Sequence, residues 1–271
     1  RRSNKRQRVE VDGRLVQADT ANDVWTADYK GWWHTGDRNR CEPFMVRDLH
    51  SKFVLVLAAT PGISTESAQL ALRIAFQKHG VPRVLRTDNG PPFASSHGLR
   101  ALTKFAVWCL KLGISVNRIL PATPSQNGSH ERTNRDIKHE LQTHPAPTLR
   151  EQQKVFDEWR YEYNHIRPHE TLDLETPASV YRRSACTYDP TEPDPVYPRH
   201  FDAARVSQKG YVNIGSKRLW VSEALAKELV GIETADDSSI NLWYSNLQLG
   251  VLSSSSASEL GPCRDPVQLN V

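Results

Sequence analysis

From Val24 to Tyr163 the chain alternates short runs of strand composition with longer segments of helical period, and that interleaving admits few folds. Val24–Lys30 (VWTADYK) reads as a strand. Phe44–Asp48 and Phe53–Thr60 are two more, and the polar turn Leu49–Lys52 between them is short enough for an antiparallel hairpin. Ser64 or Thr65 caps a helix running to His79, with Ala68, Leu72, Ala75 and Phe76 on its apolar face and Gly80 and Pro82 at its end. Arg83–Thr87 is a short strand that ends at Asp88. Leu99–Leu112 reads as a helix, apolar on nearly all sides from Phe105 to Leu110, which predicts burial. Ile114–Asn117 is another strand. The turn-rich stretch Pro121–Gly128 precedes a predicted helix from about Ser129 to Gln142. A further helix follows Thr148, which forms a T-x-x-E capping box with Glu151. Val155, Phe156, Trp159 and Tyr163 are the apolar stripe of that helix.

The flanks differ in character. Residues 1–21 are polar and basic without period and read as an arm or linker. Residues 183–198 form a Pro-rich linker, with four prolines between Tyr188 and Pro198, which suits an extended spacer. Residues 199–252 look all-β. Tyr211–Ile214, Arg218–Val221, Leu229–Thr234, Ile240–Tyr244 and Leu247–Leu252 are short runs separated by turn residues, the pattern of a small barrel. Residues 253–271, opening on four serines, are expected to be a disordered tail.

Composition excludes several classes. The longest wholly apolar run, Phe53–Ala59, is seven residues, against about 18 or more for a membrane-spanning helix. The charged start lacks the apolar stretch of a secretory signal. Cys41, Cys109, Cys186 and Cys263 form no C-x-x-C pair and read as neither a zinc site nor a disulfide framework, which fits a reducing cytoplasm. The formal charge is +4, but Arg1, Arg2, Lys5, Arg6 and Arg8 carry five positive charges and leave −1 for residues 9–271. Net charge therefore does not mark the body of the chain as a nucleic-acid binder, and local chemistry must decide.

Three carboxylates stand at informative places. Asp28 lies within the first strand, Asp88 at the carboxyl end of another, and Glu131 near the start of a helix. Carboxyl ends of neighbouring strands and a helix start converge on one crevice in an α/β sheet. Converging carboxylates repel unless a cation lies between them, and their hard oxygens suit Mg²⁺. On a continuous helix Glu131 and Lys138 share a face, with Asn134 and Arg135 beside them. An acid with bases behind it is what a metal-dependent phosphodiester site needs. Each feature also has a plainer reading. An Asp-Asn-Gly sequence is a common turn, and a Glu with Arg and Lys at helical spacing is commonly a solvated face.

Taken together, the residues resemble bacterial insertion-sequence transposases of the DDE type, which share the catalytic core of retroviral integrases. The matching segments are VWTADYKGWW (24–33), RTDNGPPFASS (86–96), PATPSQNGSHERTNRDIKHEL (121–141) and YNHIRPHETLDLETPASVY (163–181). The resemblance covers roughly residues 22–182 and implies an RNase H-like core, a five-stranded mixed sheet flanked by helices. It is weaker over Tyr197–Leu252, which looks like the small β-barrel domain that follows the core in one branch. By the resemblance Asp28, Asp88 and Glu131 are the catalytic acids and the metal ligands. Lys138 and Asn127 match DNA-contacting positions, and Asn134, Arg135 and the basic residues Arg1, Arg2, Lys5, Arg6 and Arg8 are further candidate DNA contacts. Two departures stand out. The segment between Asp88 and Glu131 is 42 residues, longer than usual for the family, and the N-terminal helix-turn-helix region of relatives is not in this sequence.

The resemblance implies metal-dependent nicking of a 3′ end of a mobile element, then strand transfer into target DNA, with two Mg²⁺ or Mn²⁺ ions. The expected partner is DNA, with a homo-oligomer assembling on it, no membrane, and a bacterial cytoplasmic, nucleoid-associated location. Two other readings compete: a domesticated, catalytically silent DNA-binding protein, and an RNase H-like nuclease that hydrolyses without joining. Intact Asp28, Asp88 and Glu131 weigh against the first. The second domain and the TPSQNG…E…K segment weigh against the other. His165 and His169 have i, i+4 spacing, but Pro168 breaks the helix that would align them as metal ligands. Asp48 reads as a turn residue. Trp25, Trp32 and Trp33 could stack on bases, with Trp25 expected in the core.

Overall fold

The computed structural model describes residues 16–88, 90–93, 102–118, 138–235 and 239–252. The basic residues of the arm, Asn127, Glu131, Asn134, Arg135 and the tail from Ser253 lie outside the described residues, as does the side chain of Lys138. The chain divides into two compact units, Arg14–Phe93 with Ile114–Pro190, and Arg1–Gly13 and Ala94–Gly113 with Thr191–Val271.

The first unit is built on a mixed sheet. Its strands are β1 (Val24–Tyr29), β2 (Trp33–His34), β3 (Arg40–Asp48), β4 (Val54–Thr60), β5 (Val84–Thr87) and β6 (Ser115–Arg118). The ladder runs β4-β3-β1-β5-β6, and β2 adds a two-residue pairing to β3. β3 is antiparallel to β1 and β4, whereas β1–β5 and β5–β6 are parallel. β2 resumes on β3 with its register shifted by one residue, after a turn at Gly31 with φ 91°. The expected five-stranded mixed sheet is present, with β2 as a small addition.

Among the described residues two long helices pack on the sheet. The helix α1 (Thr65–His79) begins where the Ser64 hydroxyl accepts from the Ser67 N–H, and it buries Ala68, Leu72, Ala75 and Phe76. It ends at Gly80, whose φ of 76° suits glycine. A Cβ there would lie 2.5 Å from the Cys186 carbonyl oxygen. The helix α3 (Leu149–His165) begins with the capping box: the Glu151 N–H donates to Thr148 Oγ1, and that hydroxyl donates to Glu151 Oε2. Phe156, Trp159 and Tyr163 of α3 pack with Trp33, Cys41, Met45, Val54 and Leu57. Phe44 packs instead against Tyr29, whose hydroxyl donates to the Ser64 carbonyl beside α1. Neighbouring residues on a strand point to opposite faces, so α1 and α3 lie on opposite faces of the sheet. The short α4 (Pro177–Val180) follows in the same unit.

In the second unit, α2 (Lys104–Lys111) packs against the 3₁₀ turn Glu223–Leu225, and Lys111 pairs with Glu228 at 3.1 Å and Asp194 at 3.5 Å. The strands are β7 (Asp202–Arg205), β8 (Tyr211–Ile214), β9 (Lys217–Trp220), β10 (Leu229–Thr234), β11 (Ile240–Tyr244) and β12 (Leu247–Leu252). They form an antiparallel sheet β12-β11-β10-β7 and a β8-β9 hairpin. The five expected strands are present, and β7 is a sixth.

Three expectations need correction in detail. The helix predicted over Leu99–Leu112 starts, among the described residues, only at Lys104, because the Thr103 hydroxyl accepts from the Ala106 N–H and ends the extended backbone there. The strand predicted over Phe44–Asp48 begins earlier, at Arg40, because β2 pairs with Arg40 and Cys41. The helix predicted over Ser129–Gln142 enters the described residues only at Lys138–Gln142, a π-helical turn. That turn is held by Glu140, which accepts from Trp159 Nε1 at 2.6 Å and from Arg167 at 2.6 and 2.9 Å.

Candidate active site

The parallel pairing of β1 and β5 aligns Ala27 with Thr87, so Asp28 and Asp88 follow side by side at the carboxyl end of the central strands. Asp28 opposes Met45 on β3, which places it on the α3 face of the sheet. Asp48, at the end of β3, belongs to a different arrangement. It is fully buried and accepts from the N–H groups of Asn22 and Ser51 and from the Ser51 hydroxyl, so it holds the β3–β4 turn.

Asp88 is held by a tight loop. The Gly90 N–H donates to Asp88 Oδ1 at 3.0 Å, and a Cβ at position 90 would stand 3.2 Å from Asp88 Oδ2. The loop returns to the core at Phe93, whose N–H donates to the Gly90 carbonyl and whose ring packs on Tyr29 and Phe44. Partial burial pushes the Asp88 carboxyl above the usual range, and the Asp28 charge adds to that rise. The Gly90 N–H and the Lys30 ammonium oppose it. The two acids are thus close enough to disfavour joint ionisation.

Lys30 is the residue that motif reading missed. Its side chain is fully buried, and its ammonium lies 2.6 Å from Asp28 Oδ2. Burial pulls its pKa down, while Asp28 pulls it up. The signal was in the strand period: residues i and i+2 share a face, so Asp28 and Lys30 had to meet. Of the three tryptophans considered for stacking, Trp25 and Trp33 are buried and Trp32 is 49% exposed. Among the described residues no third His, Cys, Asp or Glu joins the two acids.

The donor set suits a hard divalent cation. Two adjacent carboxylates share one strand end, the charge of one raises the pKa of the other, and an ammonium already lies against Asp28. Carboxylates at the carboxyl ends of neighbouring parallel strands, in a mixed sheet with one antiparallel flank, define an RNase H-like core.

Comparison with known proteins narrows this class. Residues 18–124 and 112–177 each match an integrase core domain family, together more than half of the chain. The insertion element IS407 uncharacterized 31.7 kDa protein of Burkholderia multivorans is 31% identical over 192 residues, 70% of this chain and 66% of that protein. The insertion element IS476 uncharacterized 39.2 kDa protein of Xanthomonas euvesicatoria is 32% identical over 166 residues, 61% of this chain and 46% of that protein. The chain therefore spans about two thirds of one relative and under half of the other. A chain of the cryo-EM structure of the simian T-cell lymphotropic virus intasome, in complex with PP2A regulatory subunit B56 gamma, superposes with a TM-score of 0.51 at 18% identity, covering 97% of this chain and 86% of that one. That likeness speaks to the fold alone. The chain belongs to the integrase core domain family, and its relatives place it among bacterial insertion-sequence transposases with this core. Among the described residues no helix is long and apolar enough to cross a membrane.

Proposed function

We propose that this chain is a DNA transposase that nicks the 3′ ends of a mobile element and joins them to target DNA, with Asp28, Asp88 and Glu131 as its catalytic acids. The observation that carries this reading is the register of β1 against β5, which sets Asp28 beside Asp88 at one strand end. The three acids would hold Mg²⁺ or Mn²⁺, as two ions, which when bound supply Lewis acidity and a nucleophile at neutral pH. Asp28 keeps its orientation through Lys30, and Asp88 through the Gly90 N–H. Lys138, Arg135, Asn134 and Asn127 would position the DNA end, and Arg1, Arg2, Lys5, Arg6 and Arg8 would add salt-dependent backbone affinity. Residues 22–182 would be the catalytic core and residues 199–252 a small barrel-type domain. The protein would act as a homo-oligomer on DNA at the bacterial nucleoid.

The test is a strand-joining assay with element-end duplexes, using the full-length protein. Wild type should nick and join in Mg²⁺ or Mn²⁺. Asp88→Asn should do neither and should bind the duplex unchanged. Joining by that variant would overturn the site assignment. Hydrolysis without joining by wild type would favour the nuclease reading, and duplex binding with no chemistry would favour the silent binder.

A further inference from the structure

The end of the sheet opposite Asp28 and Asp88 carries a cavity of about 500 Å³ at the amino ends of β1 and β5. Arg83, Arg182, Arg183 and His50 are on its lining, and Asp23 is the single acid there. Arg83 shares Asp23 at 3.5 Å. The other two guanidiniums donate only to main-chain carbonyls, Arg182 to those of Ser179 and Tyr181, and Arg183 to that of Gln77. Among the described residues neither has a carboxylate in ion-pair range. The lining therefore carries a net positive charge with two guanidiniums free of acids.

The walls are built, not loosely draped. Asn22 is buried at φ 70° and joins three elements. Its N–H donates to Asp48, its Nδ2 to the Arg182 carbonyl, and its Oδ1 accepts from Trp25 Nε1 and the Tyr181 hydroxyl. The segment after Arg183 is pinned in turn, with the Ser184 N–H donating to the His79 carbonyl and the Val81 N–H to the Cys186 carbonyl. The Arg182 and Arg183 backbone is thereby fixed while both side chains stay exposed.

We propose that this cavity is a second DNA-contact surface, which holds the phosphodiester backbone of a duplex without reading its sequence. The inference rests on the reading of the chain as a DNA-acting protein. Guanidiniums without acid partners, carried on a fixed backbone, are suited to phosphate, because the fork of donors matches its oxygens and is weakly hydrated. The two ends of the sheet differ in what they ask of DNA. The carboxylate end repels phosphate until a cation is bound, whereas the arginine end carries its own positive charge. They lie roughly 15 Å apart along β1, at about 3.3 Å per residue, so one duplex held at the arginine end need not occupy the acids.

The experiment measures binding of a 30-bp duplex of arbitrary sequence to the full chain by fluorescence anisotropy across a salt series. Arg182→Ala/Arg183→Ala should lower affinity about tenfold or more at low salt and reduce the slope of log K against log salt by about 2, at roughly 0.9 per lost phosphate contact. Arg182→Lys/Arg183→Lys should recover most of the slope. Arg150→Ala/Lys154→Ala removes two exposed charges from α3 and should change the slope less. Thermal midpoints of all variants check folding. An unchanged slope in the arginine pair overturns the proposal, as does an equal loss in the α3 pair. If wild type binds no duplex at all, the DNA reading itself fails, which is a separate result.

Discussion

Replacing Lys30 by Met removes the ammonium that lies 2.6 Å from Asp28 and keeps most of the buried stem. Breaking a fully buried ion pair by deleting one partner costs about 3–5 kcal/mol. Asp28 keeps 29% of its side-chain exposure, so water can take part of the charge. The expected loss in metal-free buffer is therefore smaller, about 2–3 kcal/mol. For a unit of this size that corresponds to a midpoint about 5–10 °C lower. A divalent cation should reverse the order of events. Held by Asp28 and Asp88, it would take the place of the ammonium as partner of Asp28, and in the variant it would have no ammonium to displace. At a hundredfold excess over its Kd a bound metal adds about 2.7 kcal/mol, comparable to the loss. Calorimetric melting in EDTA and in MnCl₂ should show the two proteins well separated without metal and converging with it, and direct titration should show tighter Mn²⁺ binding by Lys30→Met. Equal midpoints in EDTA would show that the ion pair contributes nothing. Weaker Mn²⁺ binding by the variant would show that Lys30 supports the metal ligands and does not compete at them.

The Asp88 carboxyl titrates above its unfolded value, so its ionised form lowers stability as pH rises through that window and continues to do so at neutral pH. Asp88→Asn should therefore melt at a higher temperature than wild type in EDTA at pH 7, while losing all joining activity. His79 is buried against Phe53 and Tyr181, and burial, with Lys78, Arg160 and Arg183 nearby, pulls its pKa down to about 4. Its neutral form is the stable one, so stability should fall as pH drops from about 6.5 towards 4, by on the order of 2 kcal/mol. Urea unfolding of wild type and His79→Gln at both pH values isolates that share. Gly80→Ala should cost more than about 2 kcal/mol in the same assay, since it combines a left-handed φ with a Cβ clash on fixed backbone.

Local signals were legible where short-range chemistry decides the outcome. The capping serine of α1, the Thr148–Glu151 box and the glycine at the end of α1 were each readable from neighbours in the chain. β7 (DAAR) was missed, because it is four residues with a mostly exposed face, and its existence depends on β10 alongside. β2 was missed for the same reason: two residues have no period to read, and only β3 makes them a strand. The start of α2 was placed too early, since apolar composition does not mark a boundary that the Thr103 cap sets. At the site, motifs name Asp28 and Asp88, whereas Lys30 belongs to no motif and is marked only by the alternation that carries it onto the same face as Asp28.

The sequence by itself determined which residues have the chemistry: hard carboxylates at Asp28, Asp88 and Glu131, the glycine that lets the Asp88 loop close, and a strand–helix order that allows an RNase H-like sheet. Only the tertiary structure decided which of them meet. Asp28 and Asp88 lie 60 positions apart in the chain, and what joins them is a parallel register, a property of two strands that neither encodes alone. The arginine cavity is the stronger case. Arg83 and Arg182 are ordinary surface residues in the sequence, and their common wall exists because a buried Asn22 ties distant backbone segments together. Chemical identity is a property of single residues, whereas proximity is set by long-range hydrogen bonds and packing.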